Sequence, residues 1–359
     1  MNVATYSATG KYQWAIPFWK MAALFFLLGI VFLTDVALGS VSIPLRSVLD
    51  IIISGKAGNP AWIYIIDEIR IPKAITAVIV GCGLPVSGLQ MQTLFRNPLA
   101  SPSILGITAG AGLGVALVML SAGSITTIYA IKELGISGSW LLLLAASLGA
   151  AFIMFLVIAI SARIRDNVIM LVVGVMTGNI TLSVISIWQF FSAPEQVKDY
   201  LLWTFGSLGG VSGGQLYLLA AVVAVGLLIA FASSKVLDTL LLGEHYARSM
   251  GLTVNNARFL IIGSTSLLAG SITAFCGPIS FIGIAVPHLA RALFNTSDHR
   301  VLIPASCLMG TSLMLICDII AQLPGSNSVL PINVITALVG SPVVIWIIMS
   351  RNNLKNSFR

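Results

Sequence analysis

The residues able to do chemistry are few and scattered along this chain. The three histidines, His245, His288 and His299, share no metal-ligand spacing, so the sequence predicts no metal site. No GxxxxGK[ST] motif occurs, and no paired carboxylates converge as an enzyme site requires. We therefore expect neither catalysis nor a cofactor in this chain. The cysteines form no CxxC pair and are interpreted as small packing residues: Cys82, Cys276, Cys307 and Cys317.

One polar segment, Leu237 to Arg258, stands out between two long apolar runs. Gly251 supplies a helix stop within it, and Glu244 and Arg248 are spaced to pair on one helix. A short amphipathic helix at a membrane surface can lie against lipid or press into a partner's groove. Its apolar residues follow roughly helical spacing and predict a single stripe: Leu240, Leu241, Leu242, Tyr246 and Met250.

The composition indicates what kind of scaffold must position these residues. Hydrophobic residues make up 57% of the chain and charged residues 9%, far from the balance of a soluble domain. The apolar runs are continuous rather than alternating, which excludes a membrane β-barrel. We therefore predict an all-α membrane protein with about ten transmembrane helices, forming a single domain over 1–359 with a polar loop at about 235–256.

The distribution of basic residues predicts how the helices are oriented. An N-terminus inside the cell places 13 of the 19 lysines and arginines on the cytoplasmic side, so both termini are expected there. The net charge of +7 comes without a dense basic cluster, so no nucleic-acid partner is expected. The predicted spans are 17–38, 72–94, 104–123, 139–161, 168–191, 214–233, 257–276, 281–294, 301–321 and 332–349.

Several polar side chains lie in or beside these spans. Arg70 and Lys73 flank Pro72, which is expected in the first turn of the second span, and both can snorkel at the interface. Asp318 is expected either to snorkel or to bond a neighbouring helix, with a structural role favoured. Asn179 can line a polar path or bond between helices.

His288 is interpreted mainly as a structural histidine, with a proton-sensitive switch as the alternative. Gly106, Gly110 and Gly114 recur every four residues and predict a bare ridge on which another helix can approach closely.

Five blocks of sequence share one resemblance. They resemble, in order, segments of the permease subunits of ABC importers for iron-siderophores, haem and vitamin B12, the type II importers. The blocks are RIPK (70–73), RNPLASPSILGITAGAGLG (96–114), LGEHYARSMGL (242–252), GPISFIGIAVPHLAR (277–291) and LPINVITALVGSP (330–342).

The resemblance implies a dimeric permease with ten helices per subunit in the bacterial cytoplasmic (inner) membrane. A ferric siderophore is the first expected cargo, with haem or vitamin B12 as alternatives, because siderophores are the commonest cargo of the family. An ion-coupled secondary transporter is a less favoured alternative, since the span centres are almost uncharged.

The implied partners are a second permease subunit, identical or paralogous, membrane lipid, an extracytoplasmic binding protein and separate ATPase subunits that bind ATP and magnesium. The residues that the resemblance assigns to ATPase coupling are Leu242, Gly243, Glu244, Ala247, Arg248 and Gly251.

The resemblance also assigns a docking site and a gate. Binding-protein docking falls on Arg70, Lys73 and Gln322, although Lys73 and Gln322 stand where the vitamin B12 permease has arginines. The cytoplasmic gate falls on Asn167 and Val168, whose types differ from the small hydroxyl residues of that permease.

Overall fold

The computed structural model describes residues 18–39, 41, 43–54, 59–121, 138–161, 167–211, 213–323 and 329–349. Within these ranges the chain is helical and has no strand. Seven of the described helices are long and apolar enough to cross a membrane, and three shorter apolar helices bring the total to ten. The predicted all-α architecture of about ten spans is thereby confirmed.

The α-helices are, in chain order, α1 (Phe18–Ala37), α2 (Leu45–Ser54), α3 (Pro60–Leu94), α4 (Ile107–Met119), α5 (Gly138–Ser161), α6 (Asn167–Phe191), α7 (Pro194–Thr204), α8 (Gly214–Ala232), α9 (Ser234–Leu241), α10 (Glu244–Ser249), α11 (Val254–Cys276), α12 (Ile282–Phe294), α13 (His299–Ala321) and α14 (Ile332–Met349). A short 3₁₀ helix, Pro102–Leu105, precedes α4.

Helix α3 begins earlier than the sequence predicts. It starts at Pro60, where the Asn59 side chain caps it by accepting a bond from the Ala61 N–H at 3.0 Å. The part over Ile65–Arg70 is π-helical, and α-helical bonding resumes at Ile71. Pro72 therefore lies in the first turn of the resumed α-helix, as expected, but inside a longer continuous helix. The wider π turn accommodates the missing proline donor.

Helices α3, α11, α12 and α13 form the packed interior of the bundle. A Cβ added at Gly81 of α3 would lie 2.5 Å from the Thr311 Cα of α13, so the two backbones touch. A Cβ at Gly88 would overlap the carbonyl oxygen of Gly283 in α12. Small residues thus let α3 approach two neighbours at backbone distance, as expected where lipid supplies no hydrophobic drive for association.

The predicted glycine ridge is confirmed. Cβ atoms at Gly110 and Gly114 would collide with backbone carbonyls of α5, at Gly149 and Ala145 respectively. Gly106 lies instead against Gly178 of α6 and has a φ of +77°, a left-handed conformation that favours glycine. The ridge therefore holds α4 against two helices.

Candidate partner-binding sites

The predicted coupling residues lie at one end of the bundle, here called the coupling end, with the last turn of α3 and the start of α13. The polar segment that contains them forms two short helices, α9 and α10, rather than one. Gly243, whose φ is +106°, interrupts the helix between them. The prediction of a single apolar stripe is therefore wrong: Leu240 is buried, whereas Leu242, Tyr246 and Met250 are 58%, 53% and 61% exposed.

Glu244 fixes α10 to the long helix that follows it. One carboxylate oxygen lies 2.6 Å from Arg258 Nη2 in α11, and the other lies 3.5 Å from Arg248 Nη2. The predicted pairing of Glu244 with Arg248 is present, but the closer partner is the buried Arg258. Ala247 is the fully buried residue of α10, and Gly251, at a φ of +85°, ends the helix where the sequence predicts.

Helix α9 is held by a polar contact that the sequence did not indicate. Asp238 Oδ1 accepts bonds from His299 Nδ1 at 2.6 Å and from the His299 backbone N–H at 3.0 Å. His299 Nε2 lies 2.8 Å from Thr93 Oγ1, at the end of α3. No spacing rule connects these residues, because Thr93 lies 206 positions and Asp238 61 positions from His299.

His288 also has a structural partner at the coupling end. Its Nε2 donates to the Pro98 carbonyl at 2.7 Å, which fastens α12 to the turn after α3. Arg291, one turn further along α12, donates to Gln92 Oε1 at 2.7 Å. These contacts agree with the structural interpretation of His288.

The predicted docking residues meet at the opposite end, here called the docking end. Arg70 is 7% exposed and donates to the carbonyls of Val36 at 2.9 Å, Ala37 at 2.8 Å and Val41. A cation at the C-terminus of a helix satisfies carbonyls that have no partner within it and complements the helix dipole. Arg70 therefore anchors the end of α1.

Lys73 and Gln322 belong to a buried polar cluster at the same end. Lys73 Nζ lies 3.0 Å from Asp318 Oδ1, so Asp318 bonds a neighbouring helix. Gln322 Nε2 donates to Asp318 Oδ2 at 2.8 Å and to Asp35 Oδ1 at 3.0 Å. The docking role stays a prediction. Of its three residues, Arg70 is the most deeply buried, and the Lys73 side chain is 19% exposed.

The predicted gate lies at the start of α6. Val168 is 71% exposed, and Asn167 is the first residue of the helix. Residues 162–166, which would complete the turn from α5, lie outside the described residues. The gate therefore also stays a prediction.

The described part of the bundle contains at least two cavities. One of about 190 Å³ lies between α3, α11 and the segments before α4 and α12, and hydroxyl groups of Ser101, Ser103, Thr108, Thr273 and Ser280 line part of it. A second, of about 400 Å³, is lined mainly by apolar side chains of α5, α8 and α11. In the part of the chain that the structure describes, no group of three or more His, Cys, Asp or Glu residues could hold a metal ion.

Comparison with known proteins places this geometry in context. The sequence profile of the FecCD transport family matches residues 27–350. The vitamin B12 import system permease protein BtuC of Klebsiella pneumoniae is 38% identical over 283 residues, covering 79% of this chain and 81% of that protein. BtuC of Escherichia coli O6:H1 is 34% identical over 299 residues, covering 83% and 87%.

A solved inward-facing structure, described as a metal-chelate type ABC transporter, superposes with a TM-score of 0.79 at 26% identity. It covers 92% of this chain and 99% of that one.

Proposed function

Because this chain belongs to the FecCD transport family and is a permease subunit of an ABC importer, we propose that it carries a bulky metal chelate inward across the bacterial cytoplasmic membrane. A ferric siderophore is the first candidate, because siderophores are the commonest cargo of the family. Vitamin B12 is the second, and the names of the similar BtuC proteins favour it specifically.

The observation that carries the coupling role is the exposed apolar surface of α10 and its flanks. Leu242, Tyr246 and Met250 are all more than half exposed, on a helix that Glu244 ties to α11. Apolar side chains on a rigid helical platform suit the groove of a partner protein. We assign this surface to the ATPase subunits, which would supply the ATP and magnesium sites.

The remaining partners follow from the same proposal. The coupling end would face the cytoplasm, and the docking end would receive the binding protein outside the membrane. A second permease subunit would complete the pathway, with Asn167 and Val168 near its cytoplasmic gate. Nucleotide can drive such a permease only if it binds one arrangement of the whole complex better than another, because equal affinity shifts no equilibrium.

The test is uptake by the complete complex reconstituted in proteoliposomes. The permease, its ATPase and its loaded binding protein are supplied with radiolabelled ferric siderophore or radiolabelled cyanocobalamin, with ATP enclosed. We expect ATP-dependent accumulation of one of the two cargoes, and none when the ATPase carries a substitution in its catalytic site.

One result would contradict the proposal, and a second would change only its cargo. Accumulation driven by a proton or sodium gradient without ATP would identify a secondary transporter instead. ATP-dependent uptake of haem but of neither tested chelate would keep the importer and replace the cargo.

A further inference from the structure

The coupling segment is tied to the bundle by two polar contacts that lead to different helices. Glu244 of α10 contacts Arg258 of α11, whereas Asp238 of α9 contacts His299 of α13. The second contact continues, because the His299 ring also bonds Thr93 of α3. One side chain, that of His299, thus connects α9 to both α3 and α13.

The geometry of this link is well defined. His299 is fully buried, and its Nδ1 and backbone N–H both donate to the same oxygen, Asp238 Oδ1. With Nδ1 donating, Nε2 is free to accept the hydroxyl proton of Thr93. Two bonds on one carboxylate oxygen fix α9 in position and in rotation, which apolar contacts through Leu237 and Leu240 do not do alone.

The two helices that receive the link, α3 and α13, are packed closely against each other. Their backbones touch at Gly81 and Thr311, and Thr311 Oγ1 donates to the Val78 carbonyl at 3.2 Å. At the docking end, Lys73 of α3 bonds Asp318 of α13. The α3–α13 pair is therefore fastened at both ends and in the middle, and it runs from the coupling end to the docking end.

We propose that His299 is a positioning residue that transmits displacement of α9 to the α3–α13 pair, while Glu244 holds α10 against α11. This inference rests on the proposed function, because it gives the coupling segment a defined route into the bundle. Asp238 and Thr93 act through His299 and touch neither nucleotide nor cargo.

The experiment compares Asp238→Ala, Asp238→Asn and Asp298→Ala in the reconstituted importer. Asparagine keeps an oxygen that can accept both bonds from His299. Asp298 is the matched control. It caps α13, the helix that begins with His299, by accepting a bond from the Arg300 N–H at 2.8 Å, but it takes no part in the described link to α9. Two quantities are measured for each variant. The first is the number of ATP molecules hydrolysed per cargo molecule transported, and the second is the amount of ATPase subunit that stays bound to the purified complex.

We expect Asp238→Ala to raise the ATP hydrolysed per cargo molecule roughly threefold to tenfold, which lies inside the roughly twofold to thirtyfold range for substitutions along a coupling route. Asp238→Asn and Asp298→Ala should stay within about twofold of the wild type. Thr93→Val removes one hydroxyl and should raise the ATP hydrolysed per cargo molecule by a smaller factor. This variant replaces Asp238→Ala as the test if Asp238→Ala lowers the amount of folded protein.

An unchanged ratio in both Asp238→Ala and Thr93→Val would overturn the inference. So would loss of the ATPase from the Asp238→Ala complex, because that result would place Asp238 in docking instead of transmission. A wild-type complex that transports no chelate would instead count against the proposed function, and the two failures are thus distinguishable.

Discussion

Helices α3 and α6 differ sharply in how much of their surface the rest of the chain covers. In an apolar stretch of 18 residues in α3, 78% of the stretch is buried, whereas in the corresponding stretch of α6 only 22% is buried. Ile180, Ile187 and Phe190 of α6 are 67%, 63% and 82% exposed. The chain thus builds a fixed interior around α3 and leaves α6 with an apolar face for lipid or a second subunit to cover.

The hydrogen bonds of polar side chains show the same contrast. Gln90 of α3 bonds Ser264 and Thr265 of α11, at 3.1 Å in each case. The hydroxyls of Thr177 and Thr181 in α6 instead donate to carbonyls four residues earlier in their own helix. Gln90 in the interior therefore joins two helices, whereas these two hydroxyls on α6 bond only within their own helix.

The sharpest way to break the interior is to enlarge a contact glycine. Gly88→Ala would force a methyl group into the Gly283 carbonyl of α12, a backbone atom that cannot move aside. Overpacking of this kind costs about 1–3 kcal/mol or more. We expect most of the protein to be lost from the membrane fraction, measured by quantitative immunoblotting.

Gly263→Ala is the matched control, since a Cβ there has nothing within 4 Å. It should leave the amount of protein unchanged. Equal losses in both variants would show that glycine itself, rather than close helix approach, is required in these helices.

The second prediction concerns the polar cluster at the docking end. Lys73→Met leaves Asp318, which is 2% exposed, without its cation. Removing one partner of a buried ion pair costs about 3 kcal/mol, with less expected here because Lys73 is partly exposed. The thermal midpoint in detergent should fall clearly.

Adding Asp318→Asn to Lys73→Met should restore most of that midpoint, because the neutral amide can still accept a bond from Gln322. If the double variant melts no higher than Lys73→Met alone, the charge of Asp318 is not the source of the loss.

Much of this architecture could be predicted from the sequence because it depends on local patterns. Continuous apolar runs gave the spans, and the spacing of Gly106, Gly110 and Gly114 gave a helix contact. The start of α3 at Pro60 was missed, because Asp67 and Glu68 make its first turns polar and resemble a loop.

The errors at the candidate sites have a different origin. Helical periodicity suggested one stripe from Leu240 to Met250, but Gly243 interrupts the helix and turns the later residues away from the buried face. The contacts of His299 and Gln322 join residues far apart in the sequence, and only the packed bundle brings them together. Arg70, which the resemblance assigns to docking, bonds carbonyls at the end of α1, and no local sequence pattern indicated this contact.

The third prediction separates the two arginines around Glu244. Substituting Glu244 together with Arg248 would mix two effects, because Glu244 also bonds Arg258 in α11. Arg248→Ala alone should change the thermal midpoint little, since an exposed i, i+4 pair is worth about 0.2–0.5 kcal/mol. Glu244→Ala should lower the midpoint more.

If Arg248 faces the ATPase, Arg248→Ala should nevertheless weaken stimulation of ATP hydrolysis by the loaded binding protein. Unchanged stimulation, measured in proteoliposomes with equal permease content, would remove Arg248 from the coupling surface.

The smallest effect is expected for binding-protein docking through Lys73. Arg70 is unsuitable for this test, because its loss would release the end of α1. The Lys73→Met, Asp318→Asn double variant removes the Lys73 charge together with that of its partner Asp318, and the introduced asparagine can still accept the bond from Gln322. An exposed charge pair contributes about 0.2–1 kcal/mol, mainly through the association rate, so we expect a decrease of about twofold at low salt that disappears at high salt. Lys198→Met in α7 is the control for loss of an exposed lysine charge elsewhere in the chain. Binding kinetics over a salt series decide the matter. A decrease that persists at high salt would indicate direct contact beyond electrostatic attraction, and wild-type rates at every ionic strength would leave Lys73 only its bond to Asp318.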